Sequence, residues 1–238
     1  MQPVIILVKT QLGENIGMCA RAMLNCGLEE LRLVQPRDGW PNEAAIATAA
    51  DADTVLQRTV CFSSVKDAVS DCRRVLATSA RERSLDLPVL SSDAAATEIR
   101  LAGERDQKVA ILFGPEASGL DNDSISQAGA VIRFPVNPGF SSLNLAQAVL
   151  LFGWEWRRTC LTEPAISTTP TPAEKSELHA FLDRLENALD SAGFFLTPEL
   201  RPGTVQNLRS FFSRAAPSDR ELRLLQGMLT ALQKTEPC

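Results

Sequence analysis

Residues 109–155 read VAILFGPEASGLDNDSISQAGAVIRFPVNPGFSSLNLAQAVLLFGWE. The run 109–113 is wholly apolar and breaks on Gly114, and the run 131–134 breaks on Pro135. Short apolar runs bounded by glycine and proline predict strands buried on both faces. Between them lies a glycine loop and a short polar helix. After them comes a loop rich in small polar residues, then a helix predicted to start near Ser142 and to reach about Arg158. Both loops therefore fall at the C-terminal ends of strands, where an open α/β sheet binds its ligands. They hold no histidine and no cysteine. They offer Gly114, Gly119, Pro138 and Gly139, which expose backbone, and the short polar groups of Asn137, Ser141, Ser142 and Asn144. Such a site holds a small molecule largely through backbone hydrogen bonds and is not built for a metal or a catalytic thiol.

The same alternation extends outward to residue 1. Strands are predicted at 4–8, 31–34, 60–62 and 75–78. Helices are predicted from a cap at Asn15 to Cys26 with Gly27 as its stop, at 42–51, at 64–72, and at 92–102 closed by Gly103. Strands spaced by helices imply an α/β fold with a mainly parallel sheet covered on both faces. The composition changes at residue 161. LTEPAISTTPTPAE, residues 161–174, has three prolines and no basic residue, as linkers do. Its end suggests a helix start, with Thr171 as cap, Pro172 as first helical residue and Glu174 closing a capping box. Residues 175–238 read as helical, with a stop at Gly193, a second helix at 204–215, and a third opened by Ser218 and Glu221. Three short helices bury little area alone, so this tail is expected to pack on something. The expected division is a domain of residues 1–160, a linker of 161–174 and a helical extension of 175–238.

Absences narrow the chemistry. The single histidine, His179, lies far along the chain from both loops, which argues against a Ser-His-Asp or Cys-His machine. The six cysteines are scattered without CxxC spacing, as in a reduced, cytoplasmic chain, and no closely spaced metal ligands occur. There is no P-loop and no GxGxxG. No apolar run approaches the roughly 20 residues of a membrane span, and the N-terminus reads as a first strand, not a signal peptide. Net charge is −5, yet 19 of the 24 basic residues are arginine, the residue suited to forked phosphate contacts. Residues 198–223 carry five arginines against three acids. On charge alone an ion-paired helical surface is the favoured reading of that stretch.

Three segments together resemble a known family. They are Asn15-Ile16-Gly17-Met18-Cys19-Ala20-Arg21, the stretch LFGPEASGL from Leu112 to Leu120, and the stretch PVNPGFSSLNLAQAV from Pro135 to Val149. In this order they are similar to the three motifs of the SPOUT superfamily of RNA 2'-O-ribose methyltransferases. Thr78-Ser79-Ala80-Arg81 and the helical tail resemble the TrmJ-type enzymes, which methylate the ribose of nucleotide 32 in the tRNA anticodon loop. The resemblance covers nearly the whole chain. It implies a trefoil knot in the C-terminal part of the catalytic domain, S-adenosyl-L-methionine as cofactor, an obligate homodimer and tRNA as substrate. It places cofactor contacts at Thr78, Ser79, Ala80, Gly114, Phe134, Ser141, Ser142 and Leu143. It assigns catalysis to Arg21, with Asn15 and Ser142 beside it.

An arginine is a poor general base, because its pKa lies above about 12. The expected role of Arg21 is therefore to orient the target 2'-hydroxyl and to stabilise the developing alkoxide, with RNA phosphate or water accepting the proton. Arg81, Arg83, Arg209 and Arg214 are candidates for RNA phosphates. Two positions depart from the family pattern. Pro115 stands where arginine is usual, which removes a charge and a backbone donor, and Phe140 stands where tyrosine is common. The alternatives are a ribosomal RNA or other-position tRNA methyltransferase, and a non-catalytic RNA-binding protein on the same fold.

Overall fold

The computed structural model describes residues 1–80, 86–160, 170–195 and 197–234. Arg81, Arg83 and residues 161–169 of the expected linker lie outside the described residues. The strands are β1 (Val4–Val8), β2 (Leu31–Val34), β3 (Val60–Phe62), β4 (Arg74–Thr78), β5 (Val89–Ser91), β6 (Val109–Phe113) and β7 (Ala130–Arg133). They form one sheet in the order β3-β2-β1-β6-β4-β7-β5, with each pairing parallel. The expected α/β class and parallel sheet are therefore present.

Alternation along β1 shows how the core is divided. Ile5 and Leu7 enter one apolar cluster, and Val4, Ile6 and Val8 enter another on the opposite face. The first cluster is covered by α1 (Gly13–Asn25), α2 (Glu43–Thr48), α3 (Asp53–Gln57), α5 (Ser92–Glu104) and α7 (Leu145–Thr159). Among the described residues of the sheet domain, the second is covered by two four-residue helices, α4 (Val65–Ala68) and α6 (Asn122–Ile125).

That thin face receives the tail. Helices α8 (Lys175–Ser191) and α10 (Asp219–Lys234) share a small core of Leu178, Phe181, Leu182, Leu222 and Leu229, against which Phe212 of α9 (Arg201–Ala215) packs. The seam with the sheet domain is rich in polar contacts. Lys175 N donates to Cys72 O at 2.9 Å and Ser176 N to Ser70 O at 3.1 Å. Lys66 pairs with Asp183 at 2.7 Å, and the Ser213 hydroxyl donates to Ser126 O at 3.2 Å. Gly129, just before β7, is required here, because a Cβ on it would stand 2.7 Å from Ser213 O.

Several expected boundaries shift for local reasons. The helix predicted over 42–51 ends at Thr48, because Ala50 and Asp51 take positive φ of 46° and 68°, and an unpredicted short helix, α3, follows. The helix expected at 64–72 stops after Ala68, and Ser70 and Cys72 instead present their carbonyls to the tail. α5 runs past Gly103 to Glu104. β5, the edge strand beside β7, went unpredicted. At the tail, the Thr171–Glu174 box does not form. The Thr171 hydroxyl accepts from Gln107 Nε2 at 2.9 Å, Pro172 bridges Ser218, and α8 starts at Lys175 without a side-chain cap. The Ser218–Glu221 box does form, with Ser218 N donating to Glu221 Oε2 at 2.7 Å. Gly193, at φ 69°, follows the end of α8 as expected.

Candidate active site

The C-terminal ends of β6, β4 and β7, neighbours in the sheet, open onto a cleft of about 660 Å³. Its rim is fixed by hydrogen bonds between the strand ends. The Thr78 hydroxyl donates to Leu112 O at 3.0 Å, and Ser79 N to Ile132 O at 3.2 Å. The loop after β6 folds back tightly. Gly119 N donates to Pro115 O at 2.9 Å, and a Cβ on Gly114 would meet Leu120 N at 2.2 Å. Only glycine fits there. In the loop after β7, Asn137 Oδ1 accepts from Gly139 N at 2.9 Å, a side-chain turn that leaves Phe140 77% exposed.

The last helix starts at Leu145, three residues later than predicted. Asn144 is its cap: the side chain accepts from Ala146 N at 2.9 Å, and Gln147 returns the bond to Asn144 N at 3.1 Å. Ser141, Ser142 and Leu143 are thereby left outside the helix, as wall residues of the cleft. All eight expected cofactor residues, Thr78, Ser79, Ala80, Gly114, Phe134, Ser141, Ser142 and Leu143, line this one cavity.

Asn15 does not cap α1. The cap position is Leu12, without a side-chain bond, and Asn15 sits inside the first turn at 3% exposure. Burial requires partners for its amide. Its Nδ2 donates to Glu116 Oε1 at 2.5 Å, and its Oδ1 accepts from Asn144 Nδ2 at 3.2 Å. Glu116 also accepts from Gln11 N at 2.9 Å. One buried amide thus ties together the loop after β1, the loop after β6 and the cap of α7. Glu116 is an anchor, not a solvated loop acid.

Arg21 is exposed on α1 and does not line the cleft of its own chain. It falls on the outer stripe of that helix with Met18 and Leu24, each 38% exposed. Arg209 is paired with Asp183 at 2.9 Å and Glu186 at 2.5 Å, its side chain 17% exposed. Arg214 is paired with Asp86 at 2.7 Å. A phosphate would have to displace these carboxylates. Sequence reasoning missed Arg133, which ends β7 and lines the cleft. Its signal was a lone cation closing an apolar strand.

Other reactive groups lie elsewhere. Among the described residues no group of three or more His, Cys, Asp or Glu could hold a metal, and no helix is long and apolar enough to cross a membrane. Burial raises the Cys19 thiol above its ordinary range, and the neighbouring Glu116 charge adds to this. Burial likewise pushes Cys72 up to about 12, with Asp71 adding. In the tail seam, burial pushes His179 down to about 4, helped by the charges of Lys175, Lys66 and Arg209. Burial also pushes Lys175 down to about 8, helped by Arg74.

Known proteins share this arrangement. Residues 2–154 match the SpoU rRNA Methylase family, and residues 176–237 match the C-terminal domain of the tRNA methyltransferase TrmJ. The chain is 37% identical over 237 residues to the tRNA (cytidine/uridine-2'-O-)-methyltransferase TrmJ of Pectobacterium atrosepticum, covering 97% of this chain and 96% of the relative. It is 36% identical over 244 residues to the tRNA (cytidine/uridine/adenosine-2'-O-)-methyltransferase TrmJ of Pseudomonas aeruginosa, covering 97% and 93%. The crystal structure of TrmJ from Z. mobilis ZM4 superposes with a TM-score of 0.89 at 45% identity, over 98% of this chain and 100% of that one. With matched sequence from end to end and the cleft in the expected place, this chain belongs to the SpoU methylase family, on its TrmJ branch.

Proposed function

We propose that the chain transfers a methyl group from S-adenosyl-L-methionine to the ribose 2'-hydroxyl of tRNA, at cytidine or uridine 32 of the anticodon loop. The observation that carries this reading is the convergence of all eight expected cofactor residues on one cleft. The names of the TrmJ relatives support the substrate class. The cleft suits the cofactor. Its volume lies within the roughly 300–1,000 Å³ of small-molecule sites. Phe134, Val136, Leu143 and Leu145 offer an apolar slot, and the loop backbone at Gly114 and Gly119 offers polar partners. The cofactor supplies an electrophilic methyl group on a sulfonium centre.

The chain's own residues do the rest. Asn15, Glu116 and Asn144 hold the loops in register. Ser142, exposed on the cleft wall, faces the incoming ribose. Arg21 orients the 2'-hydroxyl and stabilises the alkoxide as it forms, and the proton leaves to RNA phosphate or water.

This assignment needs a second copy of the chain. Met18 and Leu24 on α1, with Leu150, Leu151 and Trp154 on α7, leave an exposed apolar face, with Trp154 58% exposed. Helices α1 and α7 pack side by side. A homodimer through this face covers it and carries Arg21 toward the neighbouring cleft. We take the trefoil knot, the cytoplasmic setting and the role of residues 175–238 in tRNA recognition or dimer stability as parts of the same reading. Arg81, Arg83, Arg209 and Arg214 are its candidates for phosphate contacts.

The test is methyl transfer from labelled S-adenosylmethionine to unmodified tRNA, followed by nucleoside mass spectrometry. 2'-O-methylcytidine or 2'-O-methyluridine at nucleotide 32 is expected. Transfer at another position, or to ribosomal RNA alone, would replace the substrate. No transfer and no cofactor binding would leave an RNA-binding protein on the same fold.

A further inference from the structure

The cleft has two charged lining residues among those described, Glu116 and Arg133. Glu116 is engaged by Gln11 N and Asn15. Among the described residues the buried Nε of Arg133 has no hydrogen-bond partner. Buried N–H donors almost always have an acceptor, and an exception points to something the folded chain alone does not supply. The neighbouring strand residues show which way it faces. Ile132 joins the cluster under α1 and α7, and Val131 joins the opposite one with Leu120. By alternation Arg133 stands on the Val131 side, whereas Glu116 is tied to α1 on the other side. The two charges therefore flank the cleft from opposite faces of the sheet.

We propose that Arg133 is the anion receptor of this cleft and binds the carboxylate of the amino-acid end of S-adenosylmethionine. The inference rests on the cofactor reading above and adds the cofactor's orientation to it. A guanidinium fork matches a carboxylate in a bidentate way that a lysine does not. Arg133 itself lines the cavity, within reach of a small molecule bound there. The polarity is also consistent. The carboxylate end lies at the cation, and the positively charged sulfonium lies away from it, toward the Glu116 side.

The experiment compares S-adenosylhomocysteine with 5'-methylthioadenosine, which keeps the adenosyl group and lacks the amino acid. Calorimetric Kd values are measured for wild type, Arg133→Met and Arg133→Lys, with melting curves of each unliganded protein as a check on folding. Arg133→Met should weaken S-adenosylhomocysteine by about 10- to 100-fold, the usual weight of a hydrogen bond to a charged group, and leave methylthioadenosine unchanged. Arg133→Lys should fall between. An unchanged Kd for S-adenosylhomocysteine overturns the assignment, and a raised KM for tRNA in that case gives Arg133 to an RNA phosphate instead. Equal loss for both ligands also overturns it, since the wall has then merely collapsed. If wild type binds neither ligand, the cofactor reading itself falls and the role of Arg133 falls with it.

Discussion

Arg21 and Asn15 are six residues apart on one helix and meet opposite environments. Asn15 is buried and doubly hydrogen-bonded, and Arg21 projects outward. Arg21→Ala removes no packing within the chain. It should therefore abolish methyl transfer while leaving the Kd for S-adenosylhomocysteine within about twofold, because the cofactor walls are untouched. Equal loss of cofactor binding would end its catalytic role. At this scale much of the site was legible. The eight positions expected to contact a cofactor come from short motifs at strand ends, and neighbouring strands bring those ends together at one cleft. The partners of Asn15 were not legible. Glu116 and Asn144 lie 101 and 129 residues away, and a good capping residue near a helix start suggests a cap when nothing betrays a distant acceptor. Arg133 was missed for a related reason, since an unmet hydrogen bond has no signature in sequence.

Elements were most legible where both faces of a strand are buried. β1 and β6 announce themselves as unbroken apolar runs, whereas β5 and α3 do not. The face left thin by α4 and α6 could not be foreseen, because it depends on where the tail settles. That settlement has a test at Gly129. A valine there drives side-chain atoms into the carbonyl of Ser213 on α9, at a seam held by several polar bonds. Gly129→Val should destabilise the chain by about 2–4 kcal/mol and expose α8–α10 to proteolysis before the sheet domain. A melting curve with a separate early transition would show it. Unchanged melting and unchanged cleavage would mean that the close approach relaxes freely.

The whole molecule joins two parts by charge as much as by apolar surface, and His179 sits in that join. Folded, it stays neutral down to about pH 4. Unfolded, it takes a proton near pH 6.5, so acidification protonates the unfolded chain first. Its contribution is complete above about pH 6.5 and is lost as pH falls toward 4, on the order of 3 kcal/mol. The Tm of wild type should fall across this window more steeply than that of His179→Leu, and parallel curves would refute the account. The composite site has its own test. An Arg21→Ala chain keeps its cleft, and a Gly114→Val chain keeps its arginine. Mixed dimers of the two should recover about a quarter to a half of the activity that neither homodimer has, if each Arg21 serves its neighbour's cleft. No recovery would place arginine and cleft in the same chain.

The strand order also governs how the chain comes off the ribosome. β1 gains β2 on one side within the first 34 residues, but its other neighbour is β6, which begins at Val109. At about 5–20 residues per second, roughly 100 residues of translation separate the two, so the open edge of β1 waits about 5–20 s for its partner. A nascent VIILV edge is in that interval a sticky, unpaired template. The chain's greatest exposure to aggregation therefore falls during its synthesis, a liability that its finished fold does not reveal.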